Sequence, residues 1–256
     1  MKRIIFNQKG GVGKSTIAVN LAALAAYNGK KTLLIDMDSQ CNSSRYLLGD
    51  AAKKAAPTIA HYFEEMLGYS FFPKPVSTYI HPTPFDKLFV MPSSATLGEL
   101  QSKLDSRYKI YKLRDTLLEL DKQYDEIFID TPPAYNFYTQ SALIAADTCL
   151  IPFDCDDFSR EALYALMNNV AEIRADHNAG LRIEGIIVNQ FQQRAKLPQR
   201  LVDELLAKGL PVFNSKLSSS IVIRESHSQC LPMIHLDKQH KLSLEFSALY
   251  DELLAA

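Results

Sequence analysis

The chain has 256 residues, a formal net charge of −1, 47% hydrophobic and 22% charged residues. That is enough chain for a sizeable α/β core, and the balance is that of a globular protein rather than a disordered or fibrous one. No apolar run approaches the ~18 residues of a membrane span, and near-neutral charge gives no overall pull toward nucleic acid.

In chain order, Ile4-Ile5-Phe6 is a short apolar run that predicts a buried strand, and Ser15 to Tyr27 predicts an amphipathic helix. Further strands are expected at Thr32–Ile35, Leu88–Met91, Glu126–Ile129, Thr148–Pro152, Gly185–Asn189 and, last, near Pro211–Phe213. Helical patterns lie between them at Leu97–Leu104, Tyr111–Asp121, Arg160–Arg174 and Leu197–Lys208. Such alternation predicts an α/β fold, a mostly parallel twisted sheet with helices on both faces. The stretch 50–85, rich in proline and aromatics, reads as a packed excursion, and the whole of 1–256 reads as one domain. The start of the chain enters a strand without a signal-like apolar region, and Cys41, Cys149, Cys155 and Cys230 form no C-x-x-C pair. Both features predict a reduced, cytoplasmic protein.

Between the first strand and the first helix stands "KGGVGKST", residues 9–16. Glycines there let backbone N–H groups wrap a phosphate at a helix N-terminus, where the helix dipole favours negative charge. Lys14 would reach the β- and γ-phosphates and the Ser15 hydroxyl would ligate Mg²⁺. The ordinary phosphate loop has a glycine where this chain has Gln8, and it needs only one lysine, whereas this one carries Lys9 as well.

The loop resembles the deviant Walker A motif of the ParA/MinD family of partition and positioning ATPases. "LLIDMDSQCN", "IFIDTPPA" and "LIPFDCDDFSREAL" follow in the family's order, and the resemblance runs from Met1 to about Leu254. It implies a P-loop NTPase fold, ATP and Mg²⁺ as cofactors, and a nucleotide surface of Lys9, Gly10, Gly11, Val12, Gly13, Lys14, Ser15 and Thr16, joined by Asn189 and Pro211. By the same resemblance Lys9 reaches the nucleotide of a second subunit in an ATP-dependent homodimer, as an arginine finger does. Lys9, Lys14 and Asp38 are then the expected catalytic residues.

Three carboxylates end apolar runs: Asp36, Asp38 and Asp130. Open α/β sheets bind ligands at the C-terminal ends of their strands, and strand residues two apart point the same way. Asp36 and Asp38 are therefore expected to face the phosphates together. The resemblance assigns Asp36, Asp130 and Ser15 to Mg²⁺, the aspartates through water, and Asp38 to the attacking water. Thr131-Pro132-Pro133 would be a switch sensing the γ-phosphate.

The stretch from Arg182 to Lys241 carries nine Lys/Arg against five acids. "QFQQRAKLPQR" resembles a family segment whose arginine, Arg194 here, contacts DNA backbone; Lys196, Arg200 and Arg224 complete the expected DNA surface. A second basic position of relatives falls on Val222. Nonspecific DNA, nucleoid association when ATP-bound, and a ParB-like or cargo adaptor that stimulates hydrolysis follow from the resemblance, as does the absence of an N-terminal DNA-reading domain. The end "LSLEFSALYDELLAA" lacks the basic amphipathic helix of MinD, so no membrane docking is expected. A regulatory or assembly switch acting only through protein partners is the alternative function. "HSQCLPMIHLDKQH" spaces His227, Cys230, His235 and His240 as if for zinc, but has no second cysteine pair and is read as a final strand with flanking turns.

Overall fold

A computed structural model describes residues 1–68, 71, 72, 74–155, 159–192 and 194–255. Its strands are β1 (Lys2–Ile5), β2 (Thr32–Asp36), β3 (His81–Pro82), β4 (Leu88–Met91), β5 (Glu126–Asp130), β6 (Thr148–Asp154) and β7 (Arg182–Asn189). They form one sheet in the order β3-β4-β2-β5-β1-β6-β7, in which only the β3–β4 pairing is antiparallel. The six parallel strands bring the loops at 6–13, 37–41 and 131–136 to one edge.

Eleven α-helices accompany the strands among the described residues: α1 (Lys14–Tyr27), α2 (Asn42–Leu48), α3 (Ile59–Leu67), α4 (Leu97–Ser106), α5 (Lys112–Leu120), α6 (Phe137–Ala145), α7 (Ser159–Asp176), α8 (Lys196–Ala207), α9 (Val222–Gln229), α10 (Met233–Leu236) and α11 (Lys241–Ala255). Alternate strand residues feed two cores. Ile4, Leu33, Ile35, Ile127, Ile129 and Ile151 face α3 to α7, whereas Ile5, Leu34, Phe128 and Leu150 face α1, α2, α10 and α11. Burial on both faces is why β1, β2 and β5 read as continuous apolar runs rather than alternating ones.

Several expectations change. The first helix is not amphipathic: every residue from Ile17 to Ala26 is buried, because the sheet covers one side and α2, α10 and α11 the other. Pro211–Phe213 does not make a strand; it contributes one parallel bridge, Ile186 to Val212, beside β7. The final segment is not a strand either but the helices α9 and α10, broken at Cys230, whose φ of 54° ends the first of them. The stretch 50–85 contains α3, whose Ile59, Tyr62 and Phe63 are buried in the core. Residues 69, 70 and 73 of that stretch, 156–158 of "LIPFDCDDFSREAL" and 193 of the basic segment lie outside the described residues. No helix among the described residues is long and apolar enough to cross a membrane.

Candidate functional site

The loop after β1 is held by its own chain. Asn7 Nδ2 donates to the Pro152 carbonyl at 2.7 Å, and Asn7 Oδ1 accepts from the Lys9 amide at 2.9 Å. Gly11 and Gly13 take φ of 80° and 89°, the left-handed region that favours glycine. Gly13 caps α1, and a methyl group there would fall 2.3 Å from Asn189 Nδ2. Asn189 itself donates to the Val12 carbonyl at 2.9 Å, so the end of β7 is braced against the loop.

Lys14 starts α1 and is buried, with Nζ donating to the Lys9 carbonyl at 2.9 Å. Burial lowers its pKa, while the charges of Asp130 and Asp38 push the other way. Lys9 stays further out, a third exposed, with Nζ 3.9 Å from Asp154 Oδ2 at the end of β6. The two lysines therefore occupy different environments: one is built into the loop, the other rests on its rim.

Above the loop lies a cavity of about 520 Å³. Gly10, Gly11, Gly13, Lys14, Ser15 and Thr16 form its floor, Asp38, Gln40 and Pro133 one wall, and Arg45, Tyr46, His227 and Cys230 the other. Asp38 is 7% exposed and accepts the Gln40 amide on Oδ1 at 3.0 Å. Asp36 does not share that direction. The strand ends at Asp36, and its carboxylate turns inward to Ser44, accepting from the hydroxyl at 2.6 Å and the amide at 2.8 Å. Of the two aspartates only Asp38 lines the cavity, because the chain leaves β-geometry between them.

Asp130 is fully buried at the end of β5, and Ser43 donates to its Oδ2 at 2.7 Å. Its Oδ1 is buried and has no hydrogen-bond partner. Burial raises the Asp130 pKa; the nearby Ser15 and Ser43 hydroxyls offset part of this, although no hydrogen bond of normal geometry reaches Oδ1. Burial raises Asp36 as well, and the neighbouring Asp130 charge adds to it. A bare, buried carboxylate oxygen facing a serine hydroxyl beside a phosphate loop fits a hydrated divalent cation. Ser15 and Asp130 fit that role; Asp36, already bonded by Ser44, fits support of Asp130 better than direct contact.

Other expected residues are scattered differently. Thr131 donates to the Ile5 carbonyl at 2.7 Å and Pro133 reaches the cavity, so the segment after β5 touches both the strand and the site. Pro211 is not at the site. Its carbonyl accepts from Ile186 midway along β7, and it lines a separate cavity with Glu184 and Glu252. In a parallel arrangement the residues level with the loop are those further along, Ser218 to Ser220, which share a smaller cavity with Asn189 and Gln190. Arg194, Lys196 and Arg200 are exposed around the start of α8, and Arg224 is exposed on α9 beside that smaller cavity. Arg200 also lies 3.8 Å from Glu204. Sequence reasoning missed Ser43, Ser44, Arg45 and Tyr46, which no motif marks, and named His227 only within a zinc-like spacing.

A family model described as an AAA domain matches residues 1–183. The chromosome partitioning protein ParA of Myxococcus xanthus is 34% identical over 254 residues, covering 98% of this chain and 86% of that protein. The chain belongs to the ParA/MinD family of P-loop ATPases. Solved structures of the family share the fold. Apo McdA from Cyanothece matches with a TM-score of 0.85 at 23% identity, over 99% of this chain and 98% of that one. MinD from Pyrococcus horikoshii, complexed with Mg-ADP, matches with a TM-score of 0.80 at 23% identity, over 100% and 98%. The deviant Walker A loop of the ParA/MinD family is thus the floor of the cavity described above.

Proposed function

We propose that this chain hydrolyses ATP as a partition or positioning switch of the ParA type. One observation carries the reading: the cavity over the phosphate loop converges Lys14, Ser15 and Asp38 on one space, with the unpartnered Asp130 Oδ1 buried beneath. Lys14 and the first-turn N–H groups of α1 bind and orient the phosphates. Ser15 and Asp130 would hold Mg²⁺, which when bound neutralises phosphate charge. Asp38, held by the Gln40 amide, orients the attacking water and takes its proton as hydrolysis proceeds.

The similarity to ParA and Soj, named for chromosome partitioning, supports the cargo class. The finer parts of the reading are a dimer formed on ATP with Lys9 acting across the interface, nonspecific DNA held by the exposed Arg194, Lys196, Arg200 and Arg224, and a partner that stimulates hydrolysis. The protein-only switch has one observation in its favour: Val222 stands where relatives carry a second basic residue.

The test is phosphate release by the wild type and by Asp38→Ala, with Mg-ATP affinity measured alongside. The wild type should turn over slowly. The variant should bind with unchanged affinity and lose turnover by about 100-fold or more. Wild-type turnover in Asp38→Ala would remove the assignment, and absence of Mg-ATP binding by the wild type would remove the whole reading.

A further inference from the structure

Two cavities meet over the phosphate loop, and α9 stands between them. Ile223 and Arg224 line the smaller, about 220 Å³ in volume, and His227, one helical turn on, lines the larger. Gly11, Gly13 and Thr16 line both. At this junction His227 Nε2 lies 3.0 Å from Thr16 Oγ1. The imidazole is also fixed from behind. Its ring stands edge-on to Tyr46, with centroids 4.5 Å apart and planes at 72°. Tyr46 in turn shares a short hydrogen bond with Ser226 Oγ and receives one from Asn20 Nδ2 at 3.3 Å.

Thr16 belongs to the first turn of α1, where backbone N–H groups lack helical acceptors and attract anions. A nucleotide with its phosphates on the loop and its base toward Asn189 has to pass from the larger cavity to the smaller at Thr16. The His227–Thr16 contact sits across that passage. An exposed hydrogen bond of this kind contributes little net stability, so a ligand able to replace it displaces it readily.

We propose that His227 is a nucleotide-binding residue, whose imidazole exchanges the Thr16 hydroxyl for an oxygen at the ribose–α-phosphate junction of a nucleoside di- or triphosphate. The inference rests on the ATP-site reading above. It differs from a purely structural role, in which the contact only pins α9 to α1. A pinning contact would change stability when removed and leave ligand affinity alone. A binding contact does the reverse, and it should distinguish ligands that have a ribose from those that lack one.

The test uses the full chain and three ligands: Mg-ADP, Mg-ATP and magnesium pyrophosphate. His227→Ala should weaken Mg-ADP and Mg-ATP about 5- to 10-fold and leave pyrophosphate unchanged, with His227→Gln retaining part of the difference. In the wild type, saturating Mg-ADP should move the His227 imidazole resonance in a ¹⁵N-correlated spectrum, a measurement that needs no variant to fold. Wild-type Mg-ADP affinity in His227→Ala, equal losses for pyrophosphate, or an unmoved resonance would each overturn the proposal. Lys14→Ala separates the two readings. Binding lost there but kept in His227→Ala defeats only this inference, whereas binding kept in Lys14→Ala defeats the ATP-site reading as well.

Discussion

Asp36 and Asp130 end adjacent parallel strands as register partners, and consecutive serines of α2 hold one carboxylate each. Two acids side by side in a dry interior cannot both ionise cheaply. The arrangement suits a cation, which would replace the proton that burial lets the pair retain.

The consequence for pH is specific in sign. Burial raises both carboxyls, to about 6 for Asp130 and about 7 for Asp36. A folded carboxyl raised above its unfolded value stabilises the fold at acid pH, and that contribution is lost as pH rises through the folded value. His227 and His235, lowered by burial, act in the opposite direction below their ordinary value. Urea unfolding of the wild type and Asp36→Asn in EDTA, at steps from pH 5 to 8, isolates the pair. The wild type should lose stability relative to the variant as pH rises, and Mg-ADP should abolish the difference. Parallel curves throughout would mean that the carboxylates do not repel.

Ser44→Ala tests the support beneath that pair. The hydroxyl donates to Asp36 and accepts the Ser93 amide at 2.9 Å, so its loss strands a buried N–H and strips a buried carboxylate. Destabilisation of about 1–3 kcal/mol is expected in chemical denaturation. A change within ~0.5 kcal/mol, the range of surface substitutions, would show that water repairs the gap.

What the sequence made legible follows from the same physics. Strands buried on both faces are continuous apolar runs, and "TLLID" and "EIFID" stop in the acids that mark the ligand edge of the sheet. The segment "HSQCLPMIHLDKQH" was not legible, because its apolar middle argues for a strand while Met233 and Ile234, buried in the core beside α1, lie in a helix. His227 was hidden for a further reason. It meets Thr16 from 211 residues away, and no local pattern records such a meeting. Pro211 failed through register: lying level with Ile186 on a parallel path, it stops short of the edge that Ser218 reaches.

Arg194 and Arg224 provide the test for DNA. Both are exposed; Arg194 lines neither of the two cavities over the loop, whereas Arg224 lines the smaller, so contacts made by Arg194 would be the ones separable from nucleotide binding. Changing both to alanine should reduce ATP-dependent retention of nonspecific duplex DNA several-fold and flatten the salt dependence by about two charges, while Arg194→Ala alone should leave Mg-ATP affinity unchanged. The same retention and the same salt slope in the double variant would favour a switch that works through protein partners.

The second lysine of the loop gives the sharpest separation of roles. Lys14 is buried and bonded to the loop's own backbone, whereas Lys9 is a third exposed and its Asp154 contact is long. A partly solvated ion pair like the one Lys9 makes with Asp154 contributes at most about 1 kcal/mol. If Lys9 serves a second copy of the chain, Lys9→Ala should keep the monomer's stability and its Mg-ADP affinity within about twofold. It should nonetheless lose the ATP-dependent increase in mass by light scattering, and turnover should fall by about 100-fold or more, as it does when a charge-stabilising donor is removed. Lys14→Ala should instead lose nucleotide affinity outright, since it removes the phosphate cation within the same subunit. A Lys9→Ala protein that dimerises on ATP and turns over normally would confine that lysine to the rim where it rests.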